Sequence, residues 1–239
     1  MLEINDIRNI FKDKLDNQDF VTVDLYHDGK KIPTKTIEII GTSFLCNEDT
    51  IFKKISKNYA ERELEWYKSM SLNVYDIPGF IPPTWRSVCD KDGFINSNYG
   101  WCIYSEENKN QYRNCLQQLL KDQNSRRACM IYTRPSMQYE YHKNGMSDFM
   151  CTFSTQQFIR DNKLVYLVFM RSNDVINGFR NDLFWHKHVA HQLIKDLQAN
   201  HIQIEDEPEI IWCAGSLHMY ENDFPEIDKW FIQSPEGTL

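Results

Sequence analysis

A carboxylate interrupts an apolar helical stripe in the first half of the chain. Phe52, Ile55, Tyr59, Trp66 and Met70 recur at the three-and-four spacing of one helix face, and Glu63 falls on that face between Tyr59 and Trp66. A carboxylate there is destabilising unless it is paired or stays protonated. Two readings stand: an edge residue whose tip reaches water or a nearby base, or a general acid/base whose pKa is raised by burial. Cys151, in SDFMCTFSTQQF, sits early in a strand-like stretch with no adjacent histidine to activate it. Arg126, Arg127 and Arg171 would lower its pKa if the fold converged them on it. Read singly, Arg126-Arg127 is a solvated turn, and Arg171 a salt-bridge partner for Asp174 or Asp182. Asp182, with Asn181, directly precedes Leu-Phe-Trp and an amphipathic run, where a helix N-cap belongs. His186, His188 and His191 invite a metal reading, but only the last two share a helix face and no carboxylate or thiol completes a set. They read as a polar helix face, and no metal is expected.

The elements that must position these groups alternate in type. Residues 36–44 alternate as a strand, 49–70 turn helical, and 75–98, with Pro78, Pro82 and Pro83, read as a long loop. A second amphipathic helix is expected over 106–121, then β-rich pieces at 127–133, 149–160 and 163–170. Asn144-Gly145 and Asp161-Asn162 mark tight turns. LVYLVFM is almost wholly apolar, as in a strand covered on both faces. A helix over 183–198 and a buried strand at 209–213 complete a mixed α+β pattern, expected as one domain over 1–239.

Composition bounds the partners. With 239 residues, 41% hydrophobic and 13% aromatic, the chain can build a sizeable core. A net charge of −7 argues against general nucleic-acid binding, while leaving room for a small anion held by a local arginine cluster. The seven cysteines fall at irregular spacings without a C-x-x-C pair and read as reduced thiols. The charged start MLEINDIRNIFKDKLDNQ carries no secretion signal, and no apolar run approaches the roughly 20 residues of a membrane span, so a cytoplasmic protein is expected.

RELEWYKS (62–69), NYG (98–100), SRR (125–127), the Cys151 strand, MRSNDV--GF-ND (170–182) and GSLHMY (215–220) follow one another in the order and spacing of thymidylate synthases. The chain resembles that family over roughly residues 35 to 224, and IYTRPSMQ and GMSDFMCT are closest to its deoxycytidylate hydroxymethylase branch, known from T-even bacteriophages. The resemblance implies an α+β fold, a mixed β-sheet flanked by helices, dimerising through the sheet. It implies Cys151 as nucleophile and Glu63 as catalytic glutamate. Arg171 and Ser172 match the phosphate-binding pair, Arg126 and Arg127 the arginines donated across the homodimer interface, and Lys31, more weakly aligned, a further phosphate contact. His218 and Tyr220 match residues holding the sugar hydroxyl, and Tyr99 an active-site tyrosine. Asp174 and Trp85 fall on the folate side. The chain departs from synthases in carrying Thr152, not histidine, after the nucleophile.

Asp182 gains its second meaning from the same resemblance. Synthases carry asparagine there, which accepts from ring nitrogen 3 of uracil and donates to oxygen 4. Cytosine presents the reverse, and a carboxyl group matches it by accepting from the amine and sharing a proton with nitrogen 3. A site built for one pattern rejects the other, because mismatched buried groups go unpaired. The implied reaction is hydroxymethylation of dCMP. Cys151 adds to carbon 6, carbon 5 takes a one-carbon unit from 5,10-methylenetetrahydrofolate, and water adds to the exocyclic methylene, leaving 5-hydroxymethyl-dCMP and tetrahydrofolate. The alternatives are a methyltransferase on dCMP, in which hydride replaces water, a variant acting on CMP, and a catalytically silent nucleotide- or RNA-binding relative. Retention of Cys151, Glu63 and the phosphate residues counts against silence.

Overall fold

Alternating side chains build one seven-stranded sheet in the computed structural model, which describes residues 1–27 and 30–233. The strands are β1 (Leu2–Glu3), β2 (Val21–His27), β3 (Lys30–Leu45), β4 (Cys129–Ile131), β5 (Thr152–Arg160), β6 (Lys163–Asp174) and β7 (Glu209–Tyr220). Their order is β1-β3-β7-β6-β5-β4, with β2 paired to β3. β6 and β7 run parallel, and β3–β7, β5–β6 and β4–β5 antiparallel, so the sheet is mixed. The flanking helices are α1 (Ile4–Asp16), α2 (Lys57–Ser69), α3 (Pro83–Val88), α4 (Tyr99–Tyr104), α5 (Gln111–Lys121), α6 (Met137–Glu140), α7 (Phe179–Ala199) and α8 (Pro225–Gln233).

The central strands are more one-sided than LVYLVFM suggested. Along β6, Leu164, Tyr166, Val168 and Met170 are buried against the helices, whereas Val165, Leu167 and Phe169 are only half-buried. The run is apolar on both faces, but among the described residues only one face is fully covered.

Several boundaries moved for local reasons. Helix α2 starts at Lys57, so Phe52 and Ile55 precede it, and Met70 ends it in the left-handed conformation at φ 59°. The loop at 75–98 contains α3, and α4 opens where Asn98 Oδ1 accepts from the Trp101 amide at 2.8 Å. Helix α5 begins only at Gln111. The largest correction concerns Asp182. Asp174 Oδ1 accepts from the amides of Ile176 and Asn177 at 2.7 and 3.0 Å, closing a turn that starts α7 at Phe179 with Gly178 as its N-cap. Asp182 is therefore already inside the helix and is not its cap. The turns at Asp161-Asn162 and Asn144-Gly145 hold, with positive φ at all four residues.

Candidate active site

The floor of the site is set by strand register. Thr152 pairs with Met170 and the Arg171 amide donates to the Cys151 carbonyl at 2.7 Å, which puts the thiol beside the start of the RSND run. On the other side of β6, Ser172 faces Ser216 and Asp174 faces His218. A Cβ at Gly215 would stand 2.9 Å from the Arg171 carbonyl, so glycine permits this close pairing.

Helix α2 brings in Glu63. It is 5% exposed, and its Oε1 accepts from the Tyr59 hydroxyl one turn earlier and from Trp85 Nε1 at 2.9 Å. Trp85 Nε1 also reaches the Tyr59 hydroxyl at 3.1 Å, closing a triangle of indole, phenol and carboxylate. Burial raises the Glu63 pKa above the ordinary carboxylate range, against the two donors. The reading of Glu63 as an edge residue reaching water or a base is thus overturned.

Asp182 approaches from α7. Its Oδ1 accepts from the Tyr99 hydroxyl at 3.0 Å and its Oδ2 from Asn173 Nδ2 at 2.7 Å. Asp182 and Cys151 keep some solvent contact but are surrounded by protein on nearly every other side, as at the bottom of a recess. Burial, then the neighbouring Glu63 charge, push the Asp182 pKa up to about 7, while Tyr99 and Asn173 oppose the rise. Tyr99, 4% exposed and stacked on Tyr67, is driven well above its ordinary pKa by burial and by Asp182, so it keeps its proton and donates.

Cys151 is a neutral thiol in this chain. Burial, then the Asp182 carboxylate, push its pKa up to about 12, and Arg171 acts in the opposite direction. Arg171 makes no ion pair with Asp174 or Asp182 among the described residues, contrary to the salt-bridge expectation. Its Nε donates to the Met150 carbonyl at 3.3 Å, and the guanidinium lies 5.2 Å from the Phe149 ring centroid. His218 is 8% exposed and packs edge-on against Tyr220 at 5.0 Å. The environment of Tyr220 includes Asp174, Cys151 and Arg171.

The fold therefore gathers Glu63, Trp85, Tyr99, Cys151, Arg171, Asp174, Asp182, His218 and Tyr220, with Ser172 next along β6. It does not bring Arg126 and Arg127 to Cys151. Both are exposed ahead of β4, where the Arg126 carbonyl accepts from Gln156 Nε2 at 2.9 Å. Lys31 lies on β3, five residues before the Thr36 that pairs with Tyr220, and meets Asp24 at 3.0 Å. The three histidines diverge: His186 is 0% exposed, and His191 meets Glu207 at 3.2 Å. Tyr59, Asn173 and Asp148 were missed by sequence reasoning. Tyr59 precedes Glu63 by one helical turn, the spacing at which side chains meet. Asn173 lay in a polar run at the end of an apolar strand. Asp148 left no signal: it accepts from the amides of Asn96 and Ser97 at 2.7 and 2.8 Å and so ties the segment before Cys151 to the segment before Tyr99.

Residues 26–238 match the family model described as thymidylate synthase. The deoxycytidylate 5-hydroxymethyltransferase of Enterobacteria phage T4 is 52% identical over 202 residues, covering 84% of this chain and 82% of that protein. The thymidylate synthase of Francisella philomiragia is 24% identical over 193 residues, covering 77% and 68%. Among solved structures, the thermostable thymidylate synthase A from Bacillus subtilis superposes with a TM-score of 0.70 at 21% identity, covering 96% of this chain and 84% of that one. On the family match and the phage relative together, this chain belongs to the thymidylate synthase family.

Proposed function

We propose that this protein is a deoxycytidylate 5-hydroxymethyltransferase that converts dCMP to 5-hydroxymethyl-dCMP in the cytoplasm, the whole chain acting as one catalytic unit. The observation that carries the reading is Asp182, a recessed carboxylate where synthases place asparagine, held by two donors with a pKa of about 7. A carboxyl group that is protonated for part of the time near neutrality donates to ring nitrogen 3 and accepts from the 4-amino group of cytosine. Its second lone pairs remain open for this, because a carboxylate accepts at about four positions.

Cys151 adds to carbon 6 once its proton has left. Arg171 alone works against the carboxylates of Asp182 and Asp148, so further positive charge is needed. A second copy of the chain, packed on the half-buried face of β6 that carries Val165, Leu167 and Phe169, would supply it through Arg126 and Arg127. With Arg171 and Ser172 these bind the nucleotide phosphate by charge-assisted bonds. His218 and Tyr220 hold the sugar hydroxyl. 5,10-Methylenetetrahydrofolate, when bound, supplies the one-carbon unit. The Trp85 ring, half-buried at the edge of the Glu63 pocket, offers it an apolar face, and Asp174 keeps acceptor positions beyond the two it uses in its turn. Glu63, buried and protonated more readily than an ordinary carboxyl group, organises proton transfers and the water that adds last.

Purified protein given dCMP, CMP and dUMP together with methylenetetrahydrofolate should yield 5-hydroxymethyl-dCMP by mass spectrometry, with no dihydrofolate absorbance. Stoichiometric dihydrofolate with a 5-methyl product would make it a methylase. Absence of any tritium release from 5-labelled dCMP would make it a binder.

A further inference from the structure

Two polar side chains beside the proposed sugar site have no part in the chemistry above. Strand register places Glu38 of β3 opposite His218 of β7, with Ser216 two residues before that histidine. Alternate residues of a strand point the same way, and a diagonal neighbour across the ladder is within reach of a long side chain. Both relationships are used here. Ser216 Oγ donates to Glu38 Oε1 at 2.5 Å and lies 3.4 Å from His218 Nδ1.

These contacts fix the direction of the chain. A carboxylate only accepts, and a serine hydroxyl has one proton to give. That proton is committed to Glu38, so toward His218 the Ser216 oxygen acts as acceptor. Nδ1 is therefore the nitrogen that carries hydrogen. His218 is 8% exposed, and burial lowers its pKa, which favours the neutral ring. In a neutral imidazole with its proton on Nδ1, Nε2 is a bare acceptor. Asp174, opposite His218 on β6, spends Oδ1 on the amides of Ile176 and Asn177. Among the described residues the one side-chain hydrogen bond of His218 is that at Nδ1, which leaves Nε2 for a ligand.

We propose that Ser216 and Glu38 are positioning residues for the sugar: they hold the His218 proton on Nδ1 and leave Nε2 to accept from the hydroxyl of a deoxynucleotide. The site then reads that hydroxyl as a donor, and a sugar whose substituent only accepts is turned away. This rests on the reading of His218 as a residue that holds the sugar hydroxyl.

The experiment compares kcat/KM for dCMP with that for the analogue carrying fluorine in place of the sugar hydroxyl. Fluorine accepts weakly and never donates. A bare Nε2 meets it lone pair to lone pair, whereas an Nε2–H would tolerate it. Wild type should prefer dCMP by about tenfold or more, the scale of one buried hydrogen bond. In Ser216→Ala and Glu38→Ala the ring is free to take its other tautomer, and the preference should fall to about threefold or less, with the loss for dCMP falling on KM rather than kcat. The double variant should fall no further than Ser216→Ala, because both act through one chain. Ser216→Thr keeps the hydroxyl and should keep the wild-type ratio. Magnetic resonance of protein carrying nitrogen-labelled histidine reads the tautomer directly, the His218 signal being the one missing in His218→Ala. It should show Nδ1–H in wild type and a shift toward Nε2–H in Ser216→Ala. A wild-type ring protonated at Nε2 overturns the proposal. So does a lowered Tm in Ser216→Ala with tautomer and ratio unmoved, the outcome of a purely structural role. If Glu38→Ala does not fold, Ser216→Ala carries the test by itself. His218→Ala separates the two ideas: if it leaves kcat/KM for dCMP and the analogue ratio unchanged, His218 does not hold the sugar. If both fall while the wild-type proton sits on Nε2, only the tautomer device fails.

Discussion

The Tyr99 hydroxyl donates to Asp182 Oδ1 at 3.0 Å across 83 residues of sequence. That bond ties the first residue of α4 to the first turn of α7. Both ends are braced: Asn98 Nδ2 donates to the carbonyls of Trp66 and Ser71 at 3.0 and 2.8 Å, and Asn173 Nδ2 holds the second carboxylate oxygen. A group that reads a base must be aimed, and here two helices and a strand share the aiming.

Asp182→Asn should swing preference from dCMP toward dUMP by about 100-fold or more in the ratio of kcat/KM values, the scale set by mismatched buried polar groups. Gly178 occupies the cap position, so capping does not enter the comparison. Competition assays with both nucleotides measure it, and an unchanged ratio would remove Asp182 from base selection.

The same substitution should change how stability depends on pH. Asp182 is raised from 3.8 unfolded to about 7 folded, so the native state binds the proton more tightly. Its contribution is fully present below about pH 4 and is lost as pH rises through about 7. Three units correspond to about 4 kcal/mol at most, reduced by the solvent contact Asp182 retains. Thermal melts should show Asp182→Asn gaining on wild type between pH 4 and pH 8; parallel curves would refute the shift.

Cys151→Ala should lower tritium release from carbon 5 of dCMP by about four orders of magnitude or more, the scale seen when a nucleophile is removed. Nucleotide binding should persist, because the phosphate and base contacts lie on other residues. Calorimetric titration with dCMP checks binding, and exchange near the wild-type rate would exclude the covalent route.

Trp85→Phe removes the 2.9 Å donor to Glu63 while keeping an aromatic ring. That donor favours the ionised carboxylate, so its loss should raise the Glu63 pKa further. The limb of the kcat profile assigned to Glu63, identified as the one abolished in Glu63→Gln, should move to higher pH. A drop in folate affinity without that movement would show Trp85 acting only as a surface for the pterin.

Gly100→Ala should be among the most destabilising single changes. A Cβ there would stand 1.8 Å from the Tyr67 carbonyl of α2. Forcing α4 away from α2 should lower stability by about 3 kcal/mol or more and misplace Tyr99 beside it. Denaturant melts read the first effect, and dCMP selectivity the second.

The sequence by itself determined the type of several central elements, because hydrophobic period is local: the later part of the stripe carrying Glu63, the turn at Asp161-Asn162 and the apolar strand of β6 are visible in a few residues each, whereas α1, β2, α3 and α8 were not read from it. It also determined the family, because six short motifs stand in one order. What it left open was every decision that depends on distant partners. Glu63 was an edge residue or a buried acid until Trp85 and Tyr59 were seen to close over it. Asp182 looked like a cap because capping is judged from neighbours in the chain, whereas the Asp174 turn and Gly178 had already started the helix. His186 read as part of a polar helix face by its type alone, and only the packing of α7 on the sheet put it in the core. Charge and hydrogen bonding at this site are set by burial and by contacts between residues as much as 83 positions apart, and those exist only once the chain is folded.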